Sequence, residues 1–223
     1  TSDRCYLRPR SFDLAARRGD QFLFLKILSN IDGLNERTAL EIRRLAKHLL
    51  GSPILVGEKT RDQYLERGAV YFRYGIPTLS LFTLADCLLE GALPLVYAAH
   101  GGLYVRIDGG RMRQIRLARG ISLGALATDL GVSRRTISKY EAEDMDTSVD
   151  VALKLEEIFN EELIEPVDPF QSEAVTEEKA EVKGPVTDNI LRLLLEIGFE
   201  VVPTAQAPFN AISREGNLVV LTG

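Results

Sequence analysis

The sequence predicts a mixed fold, α/β plus all-α: an α/β module over residues 1–100, an all-α domain of four or five short helices over 103–160, an acidic linker over 161–186, and a partial second α/β module over 187–223. Three observations lead there. Strand-length apolar runs dominate before residue 100, helical periodicity with cap and stop residues follows Asp108, and a swing in charge then separates the helices from the C-terminal part. With 223 residues, 45% of them hydrophobic, the chain can bury a sizeable core divided between small domains.

In the first module, Phe12–Arg17 and Phe22–Leu28 are strand-like runs joined at Arg18-Gly19-Asp20, where glycine suits the tight turn of a hairpin. Ala39, Ile42, Leu45, Ala46, Leu49 and Leu50 recur at helical spacing, with Arg43, Arg44 and Lys47 opposite and Gly51 as a stop. Ile54–Gly57, Ala69–Phe72 and Thr78–Ser80 are short strand candidates punctuated by Pro53 and Pro77, and Thr83 is expected to cap a brief helix through Leu89.

Leu103–Ile107 is a β-prone run ending at Asp108-Gly109-Gly110, where the helices begin. Arg111–Arg119 forms the first and Gly120 ends it. Ser122 caps the second, Leu123–Leu130, and Gly131 makes the sharp exit that a residue tolerant of positive φ allows. Ser133 then caps the third, Arg134–Glu141, whose Ile137 and Tyr140 face inward and leave Arg134, Arg135, Ser138 and Lys139 outward. Thr147 or Ser148 caps a last helix that closes the bundle with Val151, Leu155, Ile158 and Phe159.

Net charge is −5, but its distribution says more than its sum. Between Arg106 and Lys139 eight basic residues face two acids, Asp108 and Asp129, which is the local positive patch that a phosphate backbone requires. From Glu141 to Lys183 fifteen acids stand against three bases, the composition of a solvated linker. Beyond Pro185, Ile190, Leu193, Leu194 and Ile197 form a helical stripe, and Phe199–Val202 and Leu218–Leu221 read as strands. Phe209-Asn210 with Arg214, Gly216 and Asn217 repeats Phe12-Asp13 with Arg17, Gly19 and Asp20 at a constant offset, which predicts two copies of one hairpin. The first copy then lacks the helix seen at Ile190–Ile197. The chain starts at Thr1 rather than Met and stops in a strand-like run, so it is expected to be a piece of a longer protein.

The string from Ile121-Ser122-Leu123 through Leu126-Ala127 and Leu130-Gly131-Val132-Ser133-Arg134-Arg135-Thr136-Ile137-Ser138-Lys139-Tyr140-Glu141 closely resembles the XRE/Cro helix-turn-helix family, and with its flanks the chain resembles the archaeal XRE-type regulatory proteins. The resemblance implies a five-helix domain and a sequence-specific, homodimeric transcription regulator of double-stranded DNA. Arg134, Arg135 and Ser138 would then read bases, with Ser133 and Thr136 beside them, while Arg111, Arg113, Arg116 and Lys139 would meet phosphates. One residue departs from the family pattern. Leu123 stands where many members carry a glutamine on the phosphate backbone, so that contact is lost or Leu123 faces something else.

The first module also resembles restriction-endonuclease-like folds, whose metal site takes an aspartate on one hairpin strand and an acid-x-lysine on the next. Asp13 and Lys26 fit the outer positions, but Phe24 occupies the place of the middle acid, and the second copy has Asn210 for the aspartate. The module is therefore expected to be a degenerate nuclease, with no metal, no cofactor and no catalytic residue. Cys5, Cys87, His48 and His100 stand singly, without the spacing of a metal site or a disulfide framework. No apolar run reaches membrane-span length and no signal peptide is evident, so a cytoplasmic protein without a membrane partner is expected. Two rivals remain beside the DNA regulator: a protein that docks the same basic face on structured RNA or a ribosomal surface, and a nuclease-like enzyme acting on DNA.

Overall fold

The computed structural model describes residues 11–143, 145–171, 200–203, 211–215 and 218–222. In chain order the elements are β1 (Leu14–Arg18), β2 (Gln21–Asn30), α1 (Glu36–His48), β3 (Ser52–Lys59), β4 (Ala69–Arg73), β5 (Ile76–Leu79), α2 (Leu81–Ala85), β6 (Val96–Ala99) and β7 (Gly102–Ile107). They continue with α3 (Gly109–Ala118), α4 (Leu123–Leu130), α5 (Arg134–Glu141), β8 (Thr147–Ser148), α6 (Val149–Phe159), β9 (Ile164–Glu165), β10 (Glu200–Pro203), β11 (Ala211–Glu215) and β12 (Leu218–Thr222). The chain divides into two compact units. One holds Thr1–Tyr64, Arg73–Thr78 and Phe170–Gly223, the other Leu65–Phe72 and Leu79–Pro169.

In the first unit β1 and β2 form the expected hairpin. Arg18 faces Gln21, so the turn is Gly19-Asp20, and Gly19 takes the positive φ (+58°) that a tight hairpin turn asks of its first central residue. Asn35 caps α1 by accepting a hydrogen bond from the Thr38 N–H, and α1 returns the chain so that β3 lies parallel to β2. Pro53–Gly57 of β3 is buried throughout, as befits a strand covered on both faces, and β5 lies on its far side. α1 buries Ala39, Ile42, Leu45 and Ala46. It ends earlier than its apolar stripe suggests: Leu49 is the cap, and Leu50 leaves at φ +51° with 72% of its surface exposed.

β10, β11 and β12 form a separate antiparallel sheet, with Glu215 opposite Leu218. The predicted helix at Ile190–Ile197, the residues Phe209, Asn210, Gly216 and Asn217, and the expected linker from residue 172 onward lie outside the described residues.

In the second unit β4, β6, β7 and β8 are neighbours in that order, and β9 also pairs with β7. Ser80, not Thr83, caps α2. Its Oγ accepts from the Thr83 N–H, and the helix then widens into a π-helical turn over Asp86–Glu90. The boundary expected between residues 100 and 103 is a hairpin instead. Ala99 faces Gly102, so His100-Gly101 is a two-residue turn that binds β6, a strand unread in the sequence, to β7. Pairing across so tight a turn makes β6 part of the helical domain.

Four helices, α3 to α6, stand where the family resemblance implies five. Strands β7 and β9 supply the remaining wall. The core is built from Val105 and Ile107 of β7, Met112, Leu126, Leu130, Ile137, Tyr140, Leu155, Phe159 and, unexpectedly, Leu163. The segment after residue 161, expected to open an acidic linker, instead packs into the domain as far as Val167. Leu163 and Val167 are buried, Ile107 pairs with Ile164, and the Leu163 and Ile164 N–H groups both donate to the Glu156 carboxylate at 2.7 and 2.9 Å. Among the described residues no helix is long and apolar enough to cross a membrane.

Candidate nucleic-acid interface

The helix-turn-helix is assembled from local devices. Ser122 Oγ accepts from the Ala125 N–H at 3.0 Å, and Ser133 Oγ accepts from the Thr136 N–H at 3.1 Å, so each serine holds the start of one helix. Between them Gly131 leaves α4 at φ +69°, a left-handed conformation that a side chain would oppose. The Val132 N–H returns to the Ala127 carbonyl at 2.9 Å and closes the turn. Ile137 and Tyr140 are buried, which fixes the rotation of α5 and leaves Arg134, Arg135 and Ser138 exposed, with Lys139 half-buried. Burial pushes the Tyr140 phenol up, so Tyr140 is a neutral anchor.

Two residues assigned to the nucleic acid serve the helix first. The Ser133 and Thr136 hydroxyls lie 2.9 Å apart and engage each other as well as the cap. A third assignment is corrected. Arg116, expected on phosphate, is only 6% exposed. Its guanidinium donates to both Glu141 carboxylate oxygens at 2.5 and 3.0 Å and to the Ile121 carbonyl at 3.0 Å, and that pairing with Glu141 holds its pKa above the ordinary arginine value. A guanidinium with all three partners indoors is not presented to a ligand.

The remaining cations sort by their partners. Arg111 is exposed and paired with Glu161 at 2.8 Å, a surface pair that a phosphate can replace at little cost. Arg119 caps α6 by donating to the Ile158 and Phe159 carbonyls and lies 5.9 Å from the Phe159 ring centre. Arg113, Arg134, Arg135 and Lys139 form no ion pair among the described residues. Leu123, the departure from the family pattern, packs its side chain against the helical core. The glutamine-like backbone contact is therefore absent at that position.

In the first unit Lys26 Nζ lies 3.2 Å from Asp13 Oδ1, and the Ile27 N–H donates to Asp13 Oδ2 at 2.7 Å. The two residues that fit the outer positions of the nuclease motif are thus neighbours. Phe24, at the middle position, is 1% exposed and its ring meets Phe12 and Phe22 edge-on or tilted. Among the described residues no three His, Cys, Asp or Glu side chains form a group able to hold a metal ion. Cys87 is a buried free thiol whose pKa burial pushes up, the mark of a packed residue.

A capped α4, a left-handed glycine turn and an α5 with an exposed basic face define a helix-turn-helix protein, here joined to an α/β unit. A helix-turn-helix family model matches residues 112–165, and a model of the PD-(D/E)XK superfamily domain matches residues 1–94. A protein of Methanococcoides burtonii named "Putative HTH-type transcriptional regulatory protein" is 54% identical over 100% of this chain and 71% of its own length. A Methanosarcina mazei protein of the same name is 53% identical over 100% of this chain and 72% of its own, and one from Natronomonas pharaonis is 49% identical over 96% and 69%. The chain belongs to this family of archaeal HTH-type transcriptional regulatory proteins. No solved structure matches it.

The reassignment of Arg116 has a measurable consequence. Arg116→Ala leaves Glu141 buried without its partner and should lower unfolding free energy by roughly 3 kcal/mol in a denaturant titration. Unchanged stability together with weakened duplex binding would return Arg116 to the phosphate-contact set.

Proposed function

We propose that this protein is a sequence-specific transcription regulator that binds double-stranded DNA by laying the N-terminal half of α5 in the major groove. The observation that carries this is the face of α5 itself: Arg134, Arg135 and Ser138 are exposed, and neither arginine is paired with a carboxylate among the described residues. Arginine in that place can bond guanine O6 and N7 together. Exposed Arg111 and Arg113 of α3 and half-buried Lys139 of α5 are the candidate phosphate contacts. The names of the relatives agree with a regulator. A homodimer acting on a two-fold operator is the assembly such a domain ordinarily uses, and a DNA-bound regulator of this kind works in the cytoplasm.

The α/β unit is read as a degenerate nuclease domain without catalysis. Both Asp13 oxygens already accept hydrogen bonds, and Phe24 puts a ring where a divalent metal ion would need a second carboxylate ligand. The β11–β12 hairpin is read as part of a second, partial copy of this unit. Register supports it: Leu14 faces Leu25 and Arg18 faces Gln21, while Ala211 faces Thr222 and Glu215 faces Leu218, each residue 197 positions after its counterpart. A slip of one residue would reverse every side chain, so equal register is a demanding coincidence.

Competition binding tests the DNA reading. A duplex selected from a random pool should outcompete both random duplex and structured RNA, with a preference that survives added salt, and Arg135→Ala should reduce it by about 1–3 kcal/mol. Equal competition by structured RNA would contradict it. For the α/β unit, purified protein should cleave neither duplex nor branched DNA with Mg²⁺. Cleavage that disappears in Asp13→Ala would show an active nuclease.

A further inference from the structure

The first residue of the recognition helix lies across the helix before it. A Cβ added to Gly124, the second residue of α4, would fall 2.8 Å from both Nε and Nη2 of Arg134 and 3.0 Å from Cζ. The space that any other residue would fill is occupied by that guanidinium. Nothing else at this position asks for glycine: its φ is not in the left-handed region, and glycine in a helix weakens it relative to alanine. The remainder of this first turn offers no side-chain cation or amide of its own. Leu123 packs on the core, Ala125 is apolar, and Ser122 Oγ is engaged by the Ala125 N–H.

The Arg134 guanidinium lies against the first turn of α4, which in the proposed docking is the helix that crosses the DNA backbone. Arg135, one residue on, has no ion pair among the described residues and stays exposed at the leading end of α5. We propose that Gly124 is a positioning residue that seats the Arg134 guanidinium against the first turn of α4 to neutralise a backbone phosphate, leaving base readout to Arg135 and Ser138. This rests on the reading of α5 as the recognition helix and divides the labour within it. It also supplies, from α5, a polar contact at the place where Leu123 provides none.

Phosphate contacts add affinity and salt dependence without sequence preference, whereas base contacts carry the preference. The test therefore measures the full chain and its Gly124→Ala, Arg134→Ala, Arg135→Ala and Gly124→Ala/Arg134→Ala variants on a pool-selected duplex and on random duplex over a salt series. Gly124→Ala displaces only the far end of a flexible side chain, so its thermal midpoint should equal or exceed the parent's. Gly124→Ala and Arg134→Ala should weaken both duplexes by the same factor, with the slope of log affinity against log salt shallower by about 0.9 in Arg134→Ala, and the double variant should bind no more weakly than Arg134→Ala. Arg135→Ala should keep the slope and reduce the selected-to-random ratio roughly 5- to 150-fold. Parent-like affinity and slope in Gly124→Ala, or a fall in the selected-to-random ratio in Arg134→Ala, would overturn the proposal while α5 remained the reader. Parent-like binding in both Arg134→Ala and Arg135→Ala would overturn the recognition-helix reading, and this proposal with it.

Discussion

Glu141, the last residue of α5, receives two hydrogen bonds from the Arg116 guanidinium of α3, and the same guanidinium reaches the Ile121 carbonyl just ahead of α4. Three helices are thereby tied at one point. Both side chains are 8% exposed, so the pair is shielded from salt and from competing water. Its net contribution against an apolar replacement is small, but the loss of either partner strands a charge in the core. The pair fixes the C-terminal end of α5 against α3, while Ile137 and Tyr140 in the core fix the helix's rotation.

The same economy of charge recurs around the helices. Glu141 holds Arg116, Glu156 accepts from two backbone N–H groups of the β9 segment, and Glu161 meets Arg111. Acids that look in sequence like a solvated run are therefore partly structural. On α5 the arginines are left without such partners among the described residues. A chain of net charge −5 can therefore still present a positive face to a phosphate backbone.

Much of this was legible in the sequence because it is local. Ser122, Gly131 and Ser133 mark the limits of α4 and α5, each a residue whose side chain or φ acts within four positions, and the structure places the helices where those marks fall. Gly19 marked its hairpin for the same reason. What was missed depends on distant partners. Arg116 follows Met112 by four residues and so shares its buried face, a signal that was available, but Glu141 lies 25 residues on. Leu163 and Val167 were hidden by the acids around them, since composition averages over the apolar residues that decide burial. β6 was missed because its partner β7 had been assigned to a different domain. The Arg134–Gly124 approach could not be read at all, because it depends on how α5 crosses α4.

Amide hydrogen exchange of the full chain, free and bound to a pool-selected duplex, reports which helices meet DNA. The duplex should slow exchange in the first turns of α4 and α5, over 122–126 and 133–138, and leave α6 (Val149–Phe159) unchanged. Slowed exchange in α6 or in the β1–β2 hairpin, with none in α5, would contradict it.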